Sequence, residues 1–325
     1  MFRVTSLTSM PEKQLNRLIR LAALLLIIGV VAFTAFYVVD RYHPLPKASA
    51  MDAQIAAEES AVKADPGDIA ARGTLADLYV AAKRYQDAIT QYDAIIAAGK
   101  AEELAKMGRG AAYQALGNMD AAIADWTRVV EIAAAGEMAK TDPNLATAYY
   151  QLGIIASQQS RAADAVGFLT KSLAINTTDA DTMYALGLAY TADGQLNQAE
   201  SILRSAVTFV PIGWPEPYTA LSAAFTKDGN PAEAAWASAM ADLASGDSTG
   251  AIAGLTPLVT GPAAEEAMVG LGLAEETRGD TATAGSWYQR VLALNPSNTS
   301  AQLGMTRVHS IGNASPVASS SPKVP

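Results

Sequence analysis

The sequence predicts an all-α protein: a stack of repeated helix pairs, preceded by one membrane-spanning helix. Three observations carry this. Apolar residues recur at the three- and four-residue spacing of a helical face. Small residues stand at matching places on successive segments, and those places return at a constant interval. Near the N-terminus, residues 21–39 run without a charge for long enough to cross a bilayer.

Residues 1–20 form a basic segment with Arg3, Lys13, Arg17 and Arg20. Residues 21–39, LAALLLIIGVVAFTAFYVV, would reach about 28 Å as a helix, close to the thickness of a hydrocarbon core. Only Arg41 and Lys47 follow within a similar distance. The positive-inside bias therefore puts the N-terminus in the cytoplasm and the remainder outside it, as a single-pass cell-membrane protein. The stretch exceeds a signal-peptide core and the small-x-small triplet Ala48-Ser49-Ala50 lies well beyond it, so it reads as an uncleaved signal anchor rather than a cleaved peptide. Residues 40–50 are a proline-containing linker. Met51 to Ala64 then reads as a lone helix, ending at Asp65-Pro66 and covering the first repeat.

Residues 51–311 read as the repeat array. In LGLAYTADGQLNQA, residues 186–199, Gly187 lies mid-helix, where glycine costs about 1 kcal/mol relative to alanine. Ala199 stands twelve residues on, across the breaker Asp193-Gly194. Two small residues on facing stripes let the helix axes approach, which offsets that cost. The same spacing recurs at Ala76 with Ala88, Gly110 with Ala122, Gly153 with Ala165, Ser222 with Ala234 and Gly272 with Ala284. Leu-Gly pairs stand at Leu152-Gly153, Leu186-Gly187 and Leu271-Gly272, and first-helix aromatics at Tyr79, Tyr113, Tyr190 and Phe225. Second-helix aromatics stand at Tyr92, Trp126 and Tyr288, and closing prolines at Pro211 and Pro296. With its period of 34, this register resembles the tetratricopeptide repeat, W-x2-L-G-x2-Y, then A-x3-F, then P. The resemblance covers residues 53–298 in about six repeats and implies a right-handed superhelical solenoid.

Three departures stand out. Extra residues at Glu137 to Leu145 precede the third repeat, and one more near Trp214-Pro215 shifts the fifth. The interval from Ser222 to Gly272 leaves room for one additional helix, placed at Ser248 to Val259, which upsets the alternation of first and second helices. Thr299 to His309 reads as a capping helix, with His309 packed where other repeats carry a tyrosine. Residues 312–325 lack apolar periodicity and read as a disordered tail.

Little in the composition favours catalysis. There is no cysteine, hence no disulfide, thiolate ligand or cysteine nucleophile, and only His43 and His309 could serve as imidazole bases. The pairs Gly108-x-Gly110 and Gly270-x-Gly272 lie inside helices without a preceding strand or a third glycine, so they read as packing glycines rather than a nucleotide loop. The net charge of −9 disfavours nucleic acid, and no cofactor or metal is expected.

The resemblance implies that first helices line a concave groove. Carried onto this chain, the groove residues are Gly73 and Asp77, then Leu104, Met107, Ala111 and Gln114. They continue with Thr147, Tyr150, Gln151, Ile154 and Gln158; Asp181, Tyr184, Leu188 and Thr191; and Glu216, Thr219, Ala223 and Lys227. The basic and amide set with which the family's co-chaperone members grip a terminal carboxylate is missing. Tyr150 and Tyr184, one repeat apart, are the expected anchors for an extended peptide or an amphipathic helix, with Tyr149 and Met183 in the core behind them. The functional expectation is a membrane-anchored, non-enzymatic scaffold for a protein or peptide partner, in cell-envelope assembly or protein quality control. The alternatives are an accessory subunit of a membrane enzyme complex and a structural, self-associating array.

Overall fold

The computed structural model describes residues 20–21, 24–26, 28–34, 49–209 and 213–313, and among these every regular element is helical. No helix of the described residues is long and apolar enough to cross a membrane. This overturns the expected span over 21–39 and the localisation and membrane attachment derived from it. Residues 22–23, 27 and 35–39 of the expected span lie outside the described residues, as do the basic segment 1–19, the linker 40–48 and the tail from 314.

The chain divides into two units, one ending at Ala82 and the other beginning at Lys83. The first contains α1 (Ala50–Ala64) and α2 (Ile69–Ala81). Ser49 and Asp52 form a reciprocal capping box that starts α1, and Asp68 accepts from Ala70 and Ala71 to start α2. The Tyr79 hydroxyl donates to Glu59 at 2.7 Å and ties the two helices.

The second unit runs through α3 (Tyr85–Ala97), α4 (Glu102–Ala115), α5 (Met119–Ala134), α6 (Pro143–Gln158), α7 (Ala162–Ile175), α8 (Ala180–Asp193) and α9 (Leu196–Phe209). It continues with α10 (Glu216–Asp228), α11 (Pro231–Ala244), α12 (Ser248–Leu255), α13 (Ala264–Arg278), α14 (Thr281–Leu294) and α15 (Thr299–Asn313). From α4 onward each helix packs on the one before it. The extra residues before α6 form a 3-10 turn, Ala139–Thr141, and Asp142 caps α6 ahead of Pro143. The additional helix is α12, continued by a 3-10 turn at Thr256–Leu258.

The glycines mid-helix make room, but for large partners rather than small ones. A Cβ on Gly187 would lie 2.5 Å from Leu203 Cδ2, and one on Gly153 would lie 2.5 Å from Leu169 Cγ. On Gly272 it would lie 2.5 Å from Tyr288 Cζ. Leu203 stands one turn beyond Ala199, so the second helix contributes a small residue and then a bulky one that fills the space over the glycine. Gly270 and Gly304 do the same from the following helix: their Cβ atoms would meet Leu255 and Tyr288. Each Gly-x-Gly pair thus makes room for two large side chains, one from the preceding helix and one from the following helix: Tyr92 and Trp126 at Gly108 and Gly110, Leu255 and Tyr288 at Gly270 and Gly272.

This register exposes a repeat that the sequence reading missed. Ala239, Gly246, Ala251 and Leu255 reproduce the spacing of Gly187, Gly194, Ala199 and Leu203, and Gly246 has the same left-handed φ as Gly194. Helix α11 is therefore the second helix of one pair and the first of the next. Second-neighbour contacts follow the same change: α6 touches α8 and α8 touches α10, after which α11 touches α13 and α13 touches α15. The alternation changes phase at α11; α12 is an ordinary, if short, second helix.

The last helix is secured by a polar lock. Arg307 on α15 donates to both Glu276 oxygens at 2.8 and 2.9 Å, and the buried Tyr288 hydroxyl donates to the same carboxylate. His309 is exposed rather than packed, because no described helix follows α15 to cover that face.

Candidate functional site

Helix α6 buries Leu145, Ala148, Leu152, Ile155 and Ala156. What remains is a face carrying Thr147, Tyr150, Gln151, Ile154 and Gln158. Tyr150 and Ile154 are half-buried against the core shared with α7 and α8, Gln151 is half-buried, and Thr147 and Gln158 are exposed. On α8 the equivalent face has Asp181 exposed, Tyr184 and Thr191 half-buried, and Leu188 43% exposed. Thr147, Tyr150 and Asp181 line one cleft of about 430 Å³ with Ser172 and Ile175 of α7. The buried Ser172 hydroxyl donates to Ala146 O at 2.8 Å and ties α7 to α6 there.

Tyr184 meets Trp214 edge to face, with ring centroids 5.4 Å apart. Trp214 belongs to the one-residue insertion before α10, so the irregular connection supplies a third aromatic to the groove. On α10, Thr219, Ala223 and Lys227 line a cleft of about 500 Å³ with Ser238 and Asp242 of α11. The Lys227 ammonium donates to Thr191 O at 2.6 Å, at the carbonyl end of α8, where a cation is favoured.

Burial raises the Tyr150 hydroxyl above its ordinary range, and the nearby carboxylates of Asp181 and Asp179 raise it further. Burial and then Glu216 do the same to Tyr184. Both phenols are therefore neutral donors at pH 7.

Met107 and Gln114 on α4 are half-buried and lie outside the lining of the Tyr150 cleft; Met107 packs on the core around Trp126 and Leu152. One expectation fails at this site. Tyr149 is not a core residue. It is half-buried, stacked on Phe168 at 6.5 Å with the Lys171 ammonium 5.4 Å from its ring centroid. The fully buried place beside Tyr150 belongs to Ala148, whereas Met183, beside Tyr184, is buried as expected.

A third cleft, of about 610 Å³, follows from the phase change at α11. Trp236 and Met240 of α11, Val269 and Leu273 of α13, and Leu303 and Arg307 of α15 line it, with Arg204 of α9. Counted from Ala239, Trp236 and Met240 hold the places that Tyr150 and Ile154 hold relative to Gly153. The Arg204 guanidinium lies 5.1 Å from the Trp236 ring centroid and 5.3 Å from that of Phe225. The repeated spacing of Ala239, Gly246 and Ala251 was the signal that could have found this surface; an alanine at the glycine place concealed it. Among the described residues no cluster of three or more histidines and carboxylates is placed to hold a metal ion.

Family profiles described as tetratricopeptide repeat match residues 52–112, 102–178, 180–209 and 237–299, together more than half of the chain. The chain belongs to the tetratricopeptide-repeat family. The last match begins inside α11, in keeping with the repeat that starts there. Among solved structures, BtubC (BKLC) from P. vanneervenii is 18% identical at a TM-score of 0.51, over 62% of this chain and 93% of that one. YrrB, described as a TPR protein with an unusual peptide-binding site, is 16% identical at a TM-score of 0.49, over 61% of this chain and 97% of that one. At 18% identity the likeness to BtubC shows the fold alone. No curated protein matches the chain.

Proposed function

We propose that this tetratricopeptide protein is a non-catalytic scaffold that holds a protein or peptide partner against the first helices α6, α8 and α10. The observation that carries the reading is the pair Tyr150 and Tyr184. They stand one repeat apart and half-open, each with an apolar neighbour one turn on, Ile154 and Leu188, while Ala148 and Met183 on the same helices are buried. Partly exposed tyrosines offer a large apolar surface and a hydroxyl donor at little entropic cost, which suits them to an interface.

A photo-crosslinking amino acid placed at Leu188 should capture a partner. The same group at Leu294, on a second helix and 69% exposed, should not. The double substitution Tyr150→Ala, Tyr184→Ala should abolish the Leu188 adduct at a cost of about 1–3 kcal/mol per site, as for half-buried rings, with melting curves showing that the protein stays folded. Equal capture at both positions would refute the groove.

A further inference from the structure

Each groove tyrosine is faced by an acid from the first turn of the next first helix. Tyr150 on α6 shares its cleft with Asp181 of α8, and Tyr184 on α8 meets Trp214, two residues before Glu216 at the start of α10, whose carboxylate, after burial, raises the Tyr184 hydroxyl. The arrangement, ring and then carboxylate, occurs in two consecutive repeats. Among the described residues no basic side chain pairs with either acid. Neither Asp181 nor Glu216 takes part in a salt bridge among the described residues, Lys227 sits at the far end of α10 on the Thr191 carbonyl, and Lys171 lies over Tyr149 and Phe168. Asp179 adds a further carboxylate at the Tyr150 cleft, although its oxygens already accept from the Asp181 amide and the Thr182 hydroxyl. Trp214, edge-on to Tyr184, adds a second ring two residues before Glu216.

An aromatic face next to an unpaired carboxylate suits a cation: the ring quadrupole attracts it, and the carboxylate completes a charge-assisted hydrogen bond. We infer that the occupant of this groove is a peptide segment with two basic side chains, arginine or lysine, one laid on Tyr150 toward Asp181 and one between Tyr184 and Trp214 toward Glu216. Apolar residues of the same segment lie on Ile154 and Leu188. An acidic segment is repelled from the same surface. The inference rests on the groove reading and narrows it to one chemistry.

The test is selection of a phage-displayed library of random dodecapeptides on the full chain, followed by affinity measurements on the selected peptides. Arginine and lysine should be enriched over the input, and replacing them with citrulline and norleucine should weaken binding tenfold or more. The pair Asp181→Asn, Glu216→Gln should weaken it equally, whereas Asp193→Asn, an exposed acid at the end of α8, should not; melting curves check that all variants are folded. Peptides lost on Tyr150→Ala, Tyr184→Ala but showing no basic enrichment, or indifferent to the two carboxylates, would overturn this inference and leave the groove standing. Failure to select any peptide that depends on those tyrosines would overturn both.

Discussion

A methyl group added to Gly187 would sit 2.5 Å from Leu203 Cδ2, closer than real side chains pack, so one of the two must give way. In an exposed helix Gly→Ala is worth up to about 1 kcal/mol of stabilisation. Here the sign reverses: Gly187→Ala should cost about 1–3 kcal/mol as overpacking, measured by chemical denaturation. Leu203→Ala alone should cost about 2–5 kcal/mol. The double variant should be less damaged than the sum, by about 1 kcal/mol or more, because the new alanine occupies space that the leucine vacates. Additivity would show that the two residues do not share a slot. The sequence reading assigned Gly187 to close packing correctly but named Ala199 as its counterpart. A pattern of small residues reports where space exists; which side chain fills it depends on rotamers, which spacing alone does not reveal.

The turn joining each helix pair follows one scheme, with a residue in the left-handed region seven places after the mid-helix small residue. Glycine holds that place at Gly117, Gly194, Gly229, Gly246 and Gly279, but Ser160 holds it with φ 58°. A left-handed backbone costs a residue with a Cβ about 1–2 kcal/mol. Ser160→Gly should therefore stabilise the protein by up to about 1 kcal/mol after the added chain entropy of glycine is subtracted. An unchanged or lowered midpoint of thermal unfolding would show that the serine is not strained. Element positions were legible in the sequence because breakers and apolar periodicity agree there. Facing was less so: Tyr149 and Tyr150 are adjacent and both fit a three- or four-residue spacing, so the true core residue, the much smaller Ala148, was passed over. The stretch 21–39 illustrates the opposite error, in which a compositional signal implied an element that no described helix supplies.

Stability in a stacked array is close to a sum of repeat and neighbour terms, so such arrays open piecewise, at the interfaces between pairs. An ordinary pair such as α6 and α7 can detach from α8 and keep its own internal packing. Helix α11 has no such option. Its Trp236 packs edge to face on Tyr218 of α10 at 6.3 Å, while Ala239 on the same helix lies where a Cβ on Gly254 of α12 would meet it. Pulling α11 away strips α10 and α12 together. Native-state hydrogen exchange should then show α10 to α13 opening as one block with a single protection level, distinct from that of α4 and α5. Different opening energies for α10 and α13 would refute this. A chain of this kind can be lengthened or trimmed by whole hairpins wherever a seam falls between pairs, but across α11 there is no seam: a cut on either side leaves one fragment without a helix it requires, and a split version would have to carry the sequence of α11 twice.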